Sequence, residues 1–501
     1  MQSMQLLPSP GAYTKTTSSN ANSNTPHRTS SEAPYCASEA LSTFTCFHSH
    51  SRPDHQVDSL CIGHGADLQE ATKKFHLDCP LRTLAKEETD AGLIPFNKIR
   101  GYWYETGPAQ ILSRAVDLNK YVPPPAKEDE KATAKRQDDA PPPGDAVAEE
   151  PSPSVTPQSG STPSALAYPK RPPPKNFLLL KREGETNPWH CLMEIYSSYM
   201  AIDVLRMSRD QENKLFFRAP EDVNDTQVVI LDEREDGPYF DLWTLFAANR
   251  RPLRMKELLA DPAAVDAARD ANIIIPLAGG SNPLWQDDAD VQQCSSAPTL
   301  SVFARRVLGF YEIPDPPPRK RDDPIVVTYV DRRETRRIVG HEPMLAALRE
   351  RVPHIRVQSV DFAALTFAEQ LRTVRETDVL VGVHGAGLTH VMFMRENVGA
   401  IVEIQPGTMT HAGFRNVAAM RGLGYFHVHA QAVNPVNDPG RRHVDDGFRE
   451  VKDGGHLEKR DNWHTQDIVI EEARFVDVVE AAVRSMYSKG NWNYDVNVRS
   501  G

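Results

Sequence analysis

The stretch Val379-Leu-Val-Gly-Val-His384-Gly-Ala-Gly-Leu-Thr-His-Val-Met-Phe-Met394 decides the reading of this chain. Val379 to Val383 is a short apolar, β-branched run, as expected of a strand covered on both faces. Gly385 and Gly387 allow a tight turn and the close approach of another molecule. From Leu388 the pattern predicts a helix. Free N–H groups and the dipole at such a start suit a phosphate. Gly382, Gly385 and Gly387 do not follow the GxGxxG order of dinucleotide folds, which argues against a Rossmann oxidoreductase.

Outward from this motif the text alternates strands and helices. Residues 325–330, 355–360, 379–383, 400–404 and 425–429 read as strands. Helices are predicted over 344–351, 367–376, 388–394, 414–421 and about 472–486. An earlier set has strands at 177–180, 227–231 and 273–277. Its helices lie at 189–207, 239–248 and 302–310. Such alternation predicts parallel sheet built from βαβ units. Two Rossmann-like domains follow, 176–318 and 319–488, joined by the Pro-rich run Pro314 to Pro318. Together they predict a two-domain α/β clamp with its ligand in the cleft.

The remaining segments differ in kind. Residues 1–32 are low in complexity and predict disorder. Residues 33–121 carry Cys36, Cys46, Cys61, Cys79 and the run Gly101-Tyr-Trp-Tyr104, and predict a small ordered subdomain. Residues 122–175 are rich in Pro, Ala and charge and predict an extended, disordered linker or insert. Residues 489–501 form a tail. The four clustered cysteines lack the CxxC spacing of zinc sites, so two disulfides are the preferred reading. Free thiols remain an alternative, and His48, His50, His55 and His64 keep a metal reading open. Cys191 and Cys294 read as core residues.

The net charge of −11 over 501 residues argues against a nucleic-acid partner. No run of about 18 apolar residues predicts a membrane span. Met1 to Ser31 lacks the apolar core of a signal peptide, which on its own reads as soluble and cytosolic. One sequon, Asn224-Asp225-Thr226, points weakly the other way.

In open parallel sheets, ligands bind beyond the carboxyl ends of the strands. There stand Asp331-Arg-Arg333 and Arg336-Arg337, then His384 with its glycine turn, then Glu403. Arg332 and Arg337 can fork to phosphate oxygens. The turn offers N–H groups to a diphosphate, and Glu403 can accept from ribose hydroxyls. In the first half, Asn187-Pro-Trp-His-Cys-Leu-Met-Glu194 opens a helix with Pro188 in its first turn. His190 and Glu194, four apart, share a face at the cleft end and form a candidate general base.

His384-Gly-Ala-Gly-Leu-Thr389, with Phe393 and Val402-Glu-Ile-Gln-Pro406, resembles the signature of the family 61 glycosyltransferases. Thr328 to Ile338 resembles that family's basic segment, and Trp189-His190 through Glu194 its first-domain helix. Segment 33–121 resembles, more loosely, the region before the catalytic domain in members that act on EGF domains. The resemblance implies a GT-B fold, a UDP-sugar donor and inversion at the anomeric carbon. Arg332, Arg337, His384, Gly385, Ala386, Gly387, Leu388 and Glu403 would then hold the nucleotide sugar. Glu194 and His190 would face the acceptor, and His384 would touch the leaving group.

The implied reaction moves N-acetylglucosamine to a protein Ser/Thr, with UDP-xylose transfer to a glycan as the alternative. A non-catalytic nucleotide- or carbohydrate-binding module is the second alternative. No cofactor and no metal ligands are expected, although Asp288-Ala-Asp290 matches an Asp-x-Asp pattern. The family implies the lumen of the secretory pathway. The chain closes on Val498-Arg-Ser-Gly501 without an ER-retrieval tetrapeptide.

Overall fold

A computed structural model of the protein describes residues 32–49, 57–90, 93–118, 174–209, 213–217, 223–247, 250–286, 288–318, 320, 322–407, 409–434 and 466–488. The tail, nearly all of the predicted disordered N-terminus and nearly all of the Pro-rich linker lie outside the described residues.

Two sheets carry the fold. The first is built on β1 (Glu32–Pro34), β2 (Thr43–Ser49), β3 (Asp58–Gln69), β4 (Lys74–Leu77), β5 (Val116–Asp117), β6 (Asn176–Leu180), β7 (Thr226–Ile230), β8 (Leu253–Arg254) and β9 (Ala271–Ile275). Its main order is β1-β2-β3-β9-β6-β7-β8. The strands β9, β6, β7 and β8 are parallel, as the alternation predicts. β3 pairs antiparallel with β9, so the cysteine-bearing segment and the first α/β domain share one sheet. Disulfides join Cys36 to Cys79 and Cys46 to Cys61. The second bridge links directly opposed residues of β2 and β3. Cys191 is buried as expected, but Cys294 is exposed.

The second sheet runs β11-β10-β12-β13-β14-β15. Its strands are β10 (Ile325–Val330), β11 (Ile355–Val360), β12 (Val379–Val383), β13 (Ala400–Pro406), β14 (Gly424–Val433) and β15 (Asp467–Val469). β10 to β14 are parallel and β15 is antiparallel. Every residue of β10, β12 and β13 is buried, which explains their unbroken apolar text. The edge strand β11 is only partly covered, and its Arg356, Gln358 and Ser359 fit that position.

Side-chain alternation divides the first sheet's faces. Phe177, Leu179, Val229 and Ile273 face Tyr35, Phe44 and Phe75 of the N-terminal segment. Leu178, Leu180, Val228 and Ile274 face the long helix α1 (Pro188–Met207). That inner core continues without a break into Leu380, Leu388, Met392, Ile401 and Phe414 of the second domain. α1 is apolar on nearly all sides because it lies inside this shared core. The second sheet's opposite face is closed by α2 (His341–Arg351) and α3 (Glu472–Ser488).

Two predicted α-helices are tighter than expected. Phe240–Phe246 and Ala386–Phe393 are both 3-10 helices. In the second, Leu388, Val391, Met392 and Phe393 all point into the shared core. The 3-10 form winds three residues per turn, unlike the 3.6-residue spacing assumed from the sequence.

Candidate functional site

β12 ends at Val383, and the chain turns at once through His384 and Gly385. The His384 N–H donates to the Ile404 carbonyl at 2.9 Å, extending the pairing with β13. Gly385 has φ 143° and ψ −178°, a conformation essentially confined to glycine. The cause is visible beside it: the Arg336 guanidinium lies against the turn and donates to the His384 carbonyl at 3.1 Å. Arg336 itself has φ 57°. Its N–H donates to the Gln466 carbonyl at 2.9 Å, and Ile468 N–H donates to the Arg337 carbonyl at 2.7 Å. The segment before β15 thus pins the basic loop that follows β10.

Sequence reasoning selected Arg332 and Arg337 and passed over Arg336. Arg332 is half-buried and caps its own loop, its Nε donating to the Thr335 carbonyl at 2.9 Å. Arg337 is half-buried in the same loop. Burial, and then Arg332 nearby, pushes the Arg336 guanidinium down to about 9, so an anion at the turn would relieve both costs.

Glu403 is fully buried, with 0% of its surface exposed. The His384 Nδ1 stands 2.5 Å from one of its oxygens, and the Tyr425 hydroxyl donates to the other at 2.6 Å. Its expected contact with ribose hydroxyls therefore does not fit: both oxygens are occupied and no face is open. Glu403 instead orients His384. Burial lowers the His384 pKa, and Glu403 opposes that shift. Tyr425 was read only as part of a strand.

The opposite wall comes from the first domain. β6 ends at Leu180, Arg182 and Glu183 follow in the loop, and α1 begins at Pro188 with Asn187 capping the Trp189 N–H at 3.0 Å. His190 Nδ1 lies 2.8 Å from Glu183 Oε1. Glu194 is buried and faces inward, with Oε1 accepting from the Glu183 N–H at 2.7 Å. The expected His190–Glu194 pair is thus replaced by His190–Glu183, with Glu194 beneath. Helical spacing indicated the shared face but not the loop residue that crosses it. Burial, then Glu183, raises the Glu194 pKa well above the ordinary carboxylate range. Burial also raises that of Glu183, partly countered by His190. Arg182 braces the same loop end by pairing with the Asp232 carboxylate at 2.8 Å.

The two walls meet. Trp189 packs edge-on against Phe414, with ring centres 5.3 Å apart. Phe414 lies 5.4 Å from the His384 ring, and His411 lies 4.6 Å from it. His411 Nε2 is 2.9 Å from Asp288 Oδ2 of the first domain. Asp290 gives its backbone carbonyl to Asn416 at 2.7 Å. The Asp-x-Asp pattern therefore serves contact between domains. Among the described residues, no group of three or more His, Cys, Asp or Glu side chains is placed to hold a metal. His390, in contrast, is a core residue bonded to Gly387 and Gln370.

These elements define a two-domain α/β protein whose glycine turn and His384 lie near the domain junction. Comparison with known proteins shows what the chain is similar to. The Glycosyltransferase 61 model matches residues 189–401, a span running from the first-domain helix into β13. An EGF domain-specific O-linked N-acetylglucosamine transferase of Drosophila melanogaster is 28% identical over 251 residues, 49% of this chain and 44% of that protein. The protein of the same name from Pan troglodytes is 32% identical over 138 residues, 27% of this chain and 25% of the relative. The matched region thus spans less than half the length of these relatives.

Proposed function

We propose that this chain is an inverting glycosyltransferase of GT-B architecture. It would move N-acetylglucosamine from UDP-N-acetylglucosamine to a Ser/Thr hydroxyl of a protein such as an EGF-like domain. The diphosphate sits on the turn from His384 to Leu388, against Arg336, with Arg332 and Arg337 adding positive charge. The acceptor hydroxyl approaches over His190. Its oxygen attacks the anomeric carbon and the bond from that carbon to the diphosphate oxygen breaks. The hydroxyl proton passes to His190, and UDP leaves with the bonding electrons. Arg336 and the turn N–H groups stabilise the charge that develops on the leaving phosphate. The protein supplies these groups itself, and no cofactor enters the scheme.

The observation that carries this reading is the contact between domains at which Trp189, next in sequence to His190, packs on Phe414, which in turn packs on His384. The relatives' names supply the sugar and acceptor class. Two disulfides fit the oxidising lumen of the secretory pathway, and no described helix is long and apolar enough to cross a membrane.

The test incubates the purified chain with UDP-N-acetylglucosamine or UDP-xylose and an EGF-like domain, and follows acceptor mass. One added N-acetylhexosamine supports the reading; a pentose moves the assignment to xylose transfer. UDP binding without turnover of any donor would make the chain a nucleotide-binding module. Arg336→Ala should weaken UDP binding at least tenfold, by loss of a charge-assisted contact.

A further inference from the structure

Glu183 was absent from every sequence expectation, yet its backbone is fixed in place. Its N–H is fixed by Glu194 at 2.7 Å. Glu194 in turn lies against Gly279, where an added Cβ would come within 2.6 Å of the Glu194 Cγ. Arg182, one residue earlier, is locked to Asp232, with its N–H donating to that carboxylate at 2.8 Å. Glu183 is 4% exposed, and its carboxylate stands 2.8 Å from His190 Nδ1. The carboxylate is thus within reach of the ring nitrogen, although Glu183 Oε1 does not meet hydrogen-bond geometry in this state; such contacts align when substrate binds. The His190 ring is further gripped by Trp285, at 4.6 Å between ring centres, and by the edge of Tyr104, at 6.0 Å. Among the described residues, Nε2 has no hydrogen-bond partner, while a quarter of the side chain remains exposed.

Resting on the functional reading above, we propose that Glu183 is the positioning residue that fixes the His190 tautomer, holding the proton on Nδ1 so that Nε2 faces the acceptor hydroxyl as base. A buried carboxylate on the far side of an imidazole sets which nitrogen carries the proton and stabilises the imidazolium once it forms. Glu194 acts one step further back, by holding the Glu183 backbone.

The test has an arm that needs no turnover. Imidazole 15N spectra of the full chain, with the His190 signal assigned by its loss in His190→Gln, report the tautomer. The wild type should show protonated Nδ1 and unprotonated Nε2, and Glu183→Gln should show a mixture. Kinetically, Glu183→Gln should lower kcat by roughly 10- to 100-fold with KM for the donor nearly unchanged. The acidic limb of its kcat profile should move to lower pH, and Glu183→Asp should recover part of the rate.

Equal melting temperature and UDP affinity in the variants establish that they are folded. A wild-type tautomer left unchanged by Glu183→Gln, or a rate loss expressed only in KM, would overturn the assignment. A fixed tautomer released by Glu183→Gln, with no donor turned over, would support the positioning and overturn the transferase reading instead.

Discussion

Replacing Gly385 by alanine adds one methyl group where the backbone has φ 143° and ψ −178°. An L-residue held there carries strain of about 1–3 kcal/mol. The new Cβ would also lie 2.5 Å from an Arg336 Nη1 and 2.9 Å from its Cζ, so the guanidinium must leave. Its bond to the His384 carbonyl is then lost, at a cost of about 1.5 kcal/mol or more for a charged donor. The sum is about 3 kcal/mol, or roughly 5–10 °C in melting temperature for a domain of this size.

Gly387 supplies the contrast. It lacks the positive φ of Gly385, and an added Cβ would meet only Val330 Cγ1 at 3.1 Å. Gly387→Ala should therefore lose less stability than Gly385→Ala, since Val330 need give by only a few tenths of an ångström. If diphosphate rests on the turn, the same methyl should weaken UDP binding by about tenfold, or 1.4 kcal/mol. Thermal denaturation and UDP titration calorimetry on the two variants separate strain from ligand contact. Gly385→Ala melting like the wild type would refute the strain argument. Gly387→Ala binding UDP normally would refute the placement of the diphosphate.

Three further outcomes follow from buried polar groups. His390 is 1% exposed and burial pushes its pKa down to about 4, so the folded state resists its protonation. Its stabilising contribution is present above the ordinary histidine value and is lost as pH falls toward 4, by up to about 3 kcal/mol. Urea titrations between pH 7 and 4 should show this fall, and a His390→Gln variant should show a shallower one. Glu194 has the opposite sign: its raised pKa gives stability at low pH that disappears as pH rises through the folded value. Glu194→Gln keeps the acceptor for the Glu183 N–H and should flatten that alkaline decline in melting temperature. Tyr425→Phe leaves a buried Glu403 oxygen unsatisfied and should cost about 1–3 kcal/mol in chemical denaturation; turnover should fall with it because His384 loses its fixed support.

The strands were legible because both faces of β10, β12 and β13 are covered, which leaves an apolar signature. The merging of the cysteine segment into the first sheet was not. The β3–β9 contact joins residues some two hundred positions apart and has no local periodicity to announce it. The same difference governs the site. His384, Gly385 and His190 stand at visible element boundaries, whereas Glu183 and Arg336 act from loops whose direction depends on distant anchors. Arg336 adopts φ 57°, which an arginine run does not advertise. Glu403 was found at the right strand position but given the wrong partner, because its burial depends on Tyr425 from the next strand.

The inner core that passes from Leu178 and Ile274 through α1 to Leu388, Ile401 and Phe414 has a consequence for protein engineering. Neither half ends in a finished surface. Exchanging one half with that of a relative would set two unmatched apolar faces together. Grafts should respect the interlocked set of Trp189, Phe414, Met392 and their neighbours, rather than the Pro-rich joint between the two domains. The practical unit of recombination is the seam, inherited whole.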